Sequence, residues 1–275
     1  MSKESPKVVL ATAGFDPSSG AGITADLKTI TAHGLYGVSC ITALTVQTTK
    51  GVLRTEAVRP EIVRETLESL VEDTPPAAVK IGMLGSGVVA AAVATFLRTN
   101  PLPNVVLDPV LRSSSGAELV DQAGLRILRD ELLGIVEVVT PNLEEASLLT
   151  GLPVSDEASM ELACRELRKL GTRNAVITGG HLAKPVDLLA IGSSDGEQVF
   201  YWFLNEKVPT RNTHGTGCAY STAIACNLAM GRSLEGADGA VLHARNYVAS
   251  ALREAYSIGK GIGPINHFHS VRPKI

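Results

Sequence analysis

Short β-rich runs alternate with amphipathic helical stretches along this chain, and that alternation constrains the fold more than any other feature. Strands that are joined through helices run parallel, because a crossover helix returns the chain to the same edge of the sheet. The pattern predicts a doubly wound, mainly parallel α/β fold with strands over residues 8–13, 38–46, 78–83, 104–107, 135–140 and 175–178. Helices are predicted over residues 23–32, 60–72, 216–230 and 234–256, and after the capping residue Ser86.

The length and the later part of the sequence favour one domain. Residues 187–191 and 198–203 are predicted to pair antiparallel around the turn Ser194-Asp195-Gly196. The polar segment at 47–51 is expected to reverse the chain after the second strand. With 275 residues and no internal repeat or linker, the chain is expected to form a single domain over residues 1–275.

Three successive strands end in a polar residue with proline or glycine beside it. These ends are Asp108-Pro109, Pro141-Asn142 and Gly179-Gly180-His181. In open α/β sheets, ligands bind in the crevice outside the carboxyl ends of the strands. The polar residues at these ends are therefore the first candidates for chemistry.

The composition excludes several classes of function. A net charge of -3, no basic run and only 4% aromatic residues argue against nucleic acid or an anionic membrane as partner. No stretch approaches the ~20 apolar residues of a membrane span. The four cysteines form no CxxC pair, so we expect reduced thiols and a cytoplasmic protein.

The sharpest local motif is Asn212-Thr213-His214-Gly215-Thr216-Gly217-Cys218, which leads directly into an apolar helical stretch. Glycines at a helix N-terminus leave backbone N–H groups free, and the helix dipole favours an anion there. A Walker loop is absent from the sequence. Taken alone, the motif fits an anion site or an ordinary glycine-rich turn equally well.

Two further motifs carry similar alternatives. The segment 14–22, GFDPSSGAG, is rich in small residues that let a substrate approach the backbone, with Asp26 in the next helix; it also fits a surface turn. In Asn142-Leu143-Glu144-Glu145, Asn142 and Glu145 could hold a hydrated Mg²⁺. The same spacing also fits a capping box, which is the more common arrangement.

Together the motifs resemble the ribokinase-like superfamily, and within it the hydroxymethylpyrimidine/phosphomethylpyrimidine kinases of thiamin biosynthesis. The resemblance spans nearly the whole chain and includes AGFDPSSGAGITADLKTITAHGLYGVSCITALTVQTTKGV, KIGMLGS, VVLDPV, TPNLEEA, GGH, NTHGTGC and GIGPINHFH in the family's order. It implies a sheet of about eight strands flanked by helices, with a small lid near residues 42–52. It also implies two successive ATP-dependent phosphorylations of 4-amino-5-hydroxymethyl-2-methylpyrimidine by a homodimer.

The resemblance also implies roles for residues. Gly14, Asp26, Gln47 and Met83 would line the pyrimidine pocket, where the amide of Gln47 offers one donor and one acceptor to an aminopyrimidine. On the nucleotide side it places Asp108, Asn142 and Glu145, with Asp108 and Glu145 holding Mg²⁺ through water. Potassium could be a further cation. Gly215, Thr216 and Gly217 would form the anion hole, and Cys218 stands at the position of the catalytic base.

Cys218 distinguishes the pyrimidine kinases from the sugar kinases of the superfamily, which have aspartate at this position. A thiol at a helix N-terminus is expected to have a pKa below its reference of ~8.5. We further hypothesise that a thiol suits an enzyme that performs both phosphorylations in one pocket. In the second phosphorylation the acceptor is a phosphate monoester, which is already an anion, and a fixed carboxylate would repel it.

Some residues depart from the family pattern. Thr178 stands where many relatives have lysine, which removes one cationic phosphate contact that His181 or Lys184 could replace. Ser19 stands where the family more often has glycine. His267 and His269 are interpreted as a C-terminal anchor. The alternative functions are pyridoxal or pyridoxine kinase, which shares the fold, and a non-catalytic pyrimidine sensor.

Overall fold

The computed structural model describes residues 5–113, 116–193, 196–204 and 206–271. Its centre is a sheet of nine strands in the order β3-β2-β1-β4-β5-β6-β7-β8-β9. The strands are β1 Val8–Phe15, β2 Tyr36–Thr48, β3 Gly51–Ala57, β4 Ala78–Ile81, β5 Val105–Leu107, β6 Val138–Val139, β7 Asn174–Gly179, β8 Val186–Gly192 and β9 Gln198–Leu204.

Parallel pairing joins the neighbouring strands β2, β1, β4, β5, β6 and β7. Antiparallel pairing adds β3 beside β2 at one end of the sheet, and β8 and β9 after β7 at the other end. The mainly parallel α/β fold is therefore confirmed. The sequence predicted about eight strands, and the additional one is β3. Its alternating polar residues, such as Arg54 and Glu56, are exposed, so it lacks the apolar run by which buried strands are recognised.

Helices cover both faces of the sheet. They are α1 Gly22–Ala32, α2 Pro60–Asp73, α3 Gly87–Thr99, α4 Gln122–Ile127, α5 Leu143–Thr150, α6 Glu157–Lys169, α7 Thr216–Ala229 and α8 Ala240–Arg253, with a π-helical turn at Leu128–Leu132. Strand β1 shows why two layers form: Val9, Ala11 and Ala13 pack with the cluster that includes α7 and α8, whereas Leu10 packs with the cluster under α3. Successive side chains of a strand point to opposite faces, so each face needs its own cover.

Some predicted boundaries need correction. Helix α8 begins at Ala240 instead of residue 234, because Gly236 has a φ of 94° and Gly239 is the extended residue before the helix. Strand β6 keeps only two residues of the predicted 135–140. The cap by Ser86 is confirmed, since its side chain accepts the N–H of Val89. In the predicted turn at 194–196, residues 194 and 195 lie outside the described residues.

The β2–β3 hairpin stands where the lid was predicted. Its turn contacts the C-terminal segment: Ile262 N–H donates to the Thr49 carbonyl at 2.8 Å, and Gly261 N–H donates to Thr49 Oγ1 at 3.1 Å. A side chain at Gly261 would overlap the Thr49 carbonyl. The described part of the chain contains no helix that is long and apolar enough to cross a membrane.

Candidate active site

The predicted site residues come from distant parts of the sequence and meet at the carboxyl edge of the sheet. Asp108 follows β5, and its N–H donates to the carbonyl of Ile81 at the end of β4. Asn142 follows β6 and pairs with Thr178 at the end of β7. Helix α7 packs against β1, β4 and β5, which brings the GTGC motif to the same edge.

The N-terminus of α7 has the geometry of an anion site. Gly215 is the residue before the helix and has a φ of 83°, a left-handed conformation that favours glycine. The N–H groups of Gly217 and Cys218 have no hydrogen-bond acceptor among the residues that the structure describes. A side chain at Gly217 would meet open space, whereas one at Gly215 would overlap the carbonyl of Gly20. Free N–H groups with open space beside them suit a phosphoryl group.

A buried group of charges lies beside this helix end, and we call Asp26, Lys80 and Asp108 the charge cluster. Lys80 is fully buried, and its Nζ lies 3.0 and 3.1 Å from the two carboxylate oxygens of Asp26 and 3.6 Å from Asp108 Oδ2. Thr222 Oγ1 donates to Asp26 at 2.7 Å, and Ser221 Oγ donates to Asp108 at 3.2 Å. The cluster thus holds two carboxylates against one ammonium.

The electrostatics of the charge cluster follow from this arrangement. Burial raises the pKa of Asp26, and the Lys80 ammonium opposes that shift. Burial by itself would lower the pKa of Lys80, but Asp26, Cys218 and Asp108 together outweigh it and the pKa is raised. Because the two groups lie within hydrogen-bond distance, we describe them as an ion pair. Asp26 is therefore engaged with Lys80 and Thr222, and its contact with a pyrimidine stays a prediction.

The expectation of a lowered pKa for Cys218 was wrong. Burial raises the pKa of its thiol to about 12; Lys80 acts in the opposite direction, while Asp108 and Asp26 add to the increase. The thiol is therefore neutral before substrates bind.

Just before the N-terminus of α7, hydrogen bonds connect two loops and the hairpin, and we call Asp16, His214, Gln47 and Thr45 the relay. His214 Nε2 lies 2.8 Å from Asp16 Oδ2 and 3.3 Å from the amide of Gln47, which in turn lies 3.1 Å from Thr45 Oγ1. Gln47 and His214 line a small cavity with residues 48–52, Ser113 and Ile262. Gln47 is thus placed beside the GTGC motif.

Gly14 and Met83, the other two predicted pocket residues, contact each other. A Cβ on Gly14 would lie 2.8 Å from the Met83 sulfur, so a larger residue at 14 would require the Met83 side chain to move. Met83 is 7% exposed, and its carbonyl accepts the hydroxyl of Thr42 from β2. These two residues join the ends of β1, β2 and β4 next to the relay.

Asn142 and Glu145 form the capping box that the sequence left as an alternative. Glu145 N–H donates to Asn142 Oδ1 at 3.0 Å, and Asn142 N–H donates to Glu145 Oε2 at 2.9 Å. Burial and the neighbouring Asp108 carboxylate raise the pKa of Glu145. Two neighbouring carboxylates are a donor set of hard oxygens, which suits Mg²⁺. The capping box and a water-mediated metal role are therefore compatible.

The two departures from the family pattern have local consequences. Ser19 has a φ of 66°, a conformation that costs a non-glycine residue about 1 kcal/mol, and Lys28 Nζ holds it by bonds to the Ser19 carbonyl at 2.6 Å and hydroxyl at 2.9 Å. Thr178 N–H donates to the Pro141 carbonyl at 2.9 Å. His181 and Lys184, which follow Thr178 in the sequence, are exposed. That either replaces the phosphate contact of the missing lysine stays a prediction.

Lys80, Asp16 and His214 belong to the site but were not identified as site residues from the sequence. A lysine within the short apolar run AVKIGM was the available signal, because a charge in a buried strand requires a partner. Asp16 and His214 both lie within quoted motifs. What the motifs did not reveal is that residues separated by 198 positions in sequence would form a hydrogen bond.

The C-terminal histidines lie behind the loop that contains Asp16. Tyr247 OH donates to the His267 carbonyl at 2.8 Å, and the Tyr247 and His269 rings lie 4.9 Å apart. His267 is 2% exposed, and its ring nitrogens have no hydrogen-bond partner among the described residues. Burial lowers the pKa of His267 to about 4, and Lys28 and His269 add to the decrease.

Comparison with known proteins agrees with this geometry. The family model for phosphomethylpyrimidine kinase matches residues 16–266. The chain belongs to this family. It is a phosphotransferase, and the interpretation as a non-catalytic sensor was wrong.

Two relatives illustrate the similarity. A hydroxymethylpyrimidine/phosphomethylpyrimidine kinase of Streptomyces coelicolor is 41% identical over 95% of this chain and 94% of its own length. A thiamine biosynthesis bifunctional protein of Geobacter sulfurreducens is 42% identical over 94% of this chain. That protein is longer, and the match covers about half (52%) of its length.

Solved structures confirm the ribokinase-like fold. Phosphomethylpyrimidine kinase of Clostridium difficile is 34% identical with a TM-score of 0.77, covering 90% of this chain and 99% of its own. The ADP complex of Bacillus subtilis pyridoxal kinase is 30% identical with a TM-score of 0.84, covering 96% and 98%. The nucleotide in that complex supports the use of ATP by this chain.

Proposed function

We propose that this protein transfers the γ-phosphoryl group of ATP to the hydroxymethyl group of 4-amino-5-hydroxymethyl-2-methylpyrimidine, and then phosphorylates the monophosphate to the diphosphate. The observation that carries the proposal is the position of Gln47 beside the GTGC helix terminus, through its contact with His214. An amide suited to an aminopyrimidine thereby lies next to N–H groups suited to a phosphoryl group.

The residues of the chain would act mainly by positioning and by charge. Gln47, Gly14 and Met83 would hold the pyrimidine, and Asp26 would take part through the charge cluster. The N–H groups at Gly217 and Cys218 would stabilise charge on the transferred group.

In the first step, the Cys218 thiol would first release its proton to solvent, and the Lys80 ammonium would stabilise the thiolate. That thiolate would then accept the proton of the hydroxymethyl group as the hydroxymethyl oxygen bonds to the γ-phosphorus of ATP and ADP leaves. In the second step the acceptor is a phosphate monoester, which needs no base. A neutral thiol adds no charge to a cluster that already has two carboxylates, whereas aspartate would add a third. The raised pKa of Cys218 supports this account of why the family has a thiol here.

Mg²⁺ bound with ATP would neutralise charge on the phosphates. Asp108 and Glu145 would hold it through water, with Asn142 supporting Glu145 through the capping box. We also propose, from the family resemblance, a single domain, a cytoplasmic location and a homodimer that uses the edge of the β2–β3 hairpin.

Pyridoxal kinase is the second candidate function. The observation in its favour is the TM-score of 0.84–0.86 with three pyridoxal kinase structures, two of them nucleotide complexes. The same pocket could accept both rings, because a pyridine also presents a ring nitrogen that Gln47 can bind.

The test is to incubate the purified protein with Mg-ATP and the hydroxymethylpyrimidine, and to follow monophosphate and diphosphate by mass spectrometry. Pyridoxal is the parallel substrate. Both pyrimidine products are expected. Formation of pyridoxal phosphate alone would overturn the pyrimidine assignment, and a single pyrimidine product would overturn the two-step proposal.

A further inference from the structure

The relay ends on two groups that can only accept hydrogen bonds. At one end is the carboxylate of Asp16, 2.8 Å from His214 Nε2, and at the other is the carbonyl of Phe15, 2.9 Å from Thr45 Oγ1. Between them, the Gln47 amide is placed with Nε2 3.3 Å from His214 Nε2 and Oε1 3.1 Å from Thr45 Oγ1. The direction of every hydrogen bond follows from these ends.

The Asp16 end is held by the loop that contains it. Its carboxylate is 3% exposed and also accepts the N–H and hydroxyl of Ser18 and the N–H groups of Gly20 and Ala21, at 2.7–3.2 Å. Because this carboxylate accepts, His214 Nε2 must carry a hydrogen, whether the ring is neutral or charged. A side chain at Gly20 would overlap the His214 ring, so the ring is also held sterically.

The Thr45 end gives an independent constraint. A hydroxyl has one hydrogen, and Thr45 uses it for the carbonyl of Phe15. The Thr45 oxygen can therefore only accept from Gln47. The amide nitrogen of Gln47 must face Thr45.

Both ends require the same orientation of the Gln47 amide. That orientation turns the amide oxygen towards the N–H of His214 and the amide nitrogen towards the oxygen of Thr45, the reverse of the placement in the structure. The His214 N–H points mainly at Asp16, so the amide oxygen shares its hydrogen. The contact distances alone do not distinguish the two amide atoms, but the donors and acceptors around them do. With the amide nitrogen at His214, as the structure places it, two N–H groups meet there, and two acceptors meet at Thr45.

We propose that Asp16, His214 and Thr45 are positioning residues that fix the Gln47 amide in this one orientation and so determine which way round an aminopyrimidine binds. The inference rests on the proposed function. The amide keeps one N–H for the ring nitrogen and one lone pair for the adjacent amine of the substrate. Reversing the amide would exchange donor and acceptor, and the same ring edge would no longer match.

The first test compares Thr45→Val, which removes the hydroxyl at nearly constant volume, with Thr45→Ser, which keeps it. We expect Thr45→Val to raise KM for the pyrimidine about tenfold, the value of one hydrogen bond, with kcat and KM for ATP nearly unchanged. Thr45→Ser should recover most of the loss. A Thr45→Val variant with wild-type KM overturns the proposal, and so does a parallel change in kcat and in both KM values, which would indicate a merely structural role.

A second measurement does not depend on activity. Long-range ¹H–¹⁵N correlation spectra of the histidine rings in the wild-type protein should show a hydrogen on His214 Nε2 throughout neutral pH. An unprotonated Nε2 overturns the relay directions. If the wild-type protein fails to phosphorylate the pyrimidine, the proposed function fails, and the spectra still decide the relay.

Discussion

The charge cluster contacts α7 through Ser221 and Thr222, the relay contains His214 just before that helix, and the two are built in contrasting ways. Lys80 and Asp26 are fully buried and depend on one another, whereas Gln47 in the relay is half-buried and bordered by a cavity. A buried charge that loses its partner destabilises the whole fold. A half-buried amide that loses a neighbour can still reach water. We therefore expect changes in the cluster to affect stability first, and changes in the relay to affect substrate binding first.

The largest effect should come from Lys80→Met, which leaves the Asp26 carboxylate buried without its cation. We expect a loss of about 3–5 kcal/mol in the free energy of unfolding, measured by urea denaturation. The double variant Lys80→Met/Asp26→Leu should recover much of that loss, because it removes both charges. A single variant within about 1 kcal/mol of wild type would contradict the contrast between cluster and relay.

The second effect concerns pH and the region behind the relay loop. His267 has a pKa of about 4 in the fold, below its unfolded value near 6.5. The unfolded chain therefore binds more protons between these values, so stability is fully present above pH ~6.5 and is lost as the pH falls towards ~4. The loss should reach about 3 kcal/mol.

The measurement is the free energy of unfolding against pH for the wild type and for His267→Leu, which cannot titrate. Leucine suits the site because the ring nitrogens of His267 have no hydrogen-bond partner among the residues described. The variant should lose most of the slope between pH ~4 and ~6.5. An unchanged slope would show that His267 is not the group responsible.

The smallest effect should come from Glu145→Gln, compared with Glu144→Gln. A glutamine at 145 can keep the capping box, but it removes a carboxylate from the proposed metal site. We expect KM for Mg-ATP to rise about tenfold, with KM for the pyrimidine unchanged. Glu144 is exposed and pairs with Arg112, so its variant should match the wild type. Equal effects from the two variants would contradict a metal role for Glu145.

The sequence by itself determined the α/β fold, the order of most elements and the motifs that form the site. Buried strands and amphipathic helices have local signatures, and so do caps such as Ser86 and the Asn142–Glu145 pair. The prediction was wrong where the signature was weak, as for the polar strand β3, or where glycines interrupted it, as before α8.

Only the tertiary structure decided how the site residues interact. The pKa of Cys218 depends on burial and on Lys80, Asp108 and Asp26, which belong to other segments of the chain. The pairing of Gln47 with His214 joins residues 167 positions apart. Desolvation and hydrogen-bond direction both depend on atoms from distant segments that folding brings together. No local pattern in the sequence contains that information.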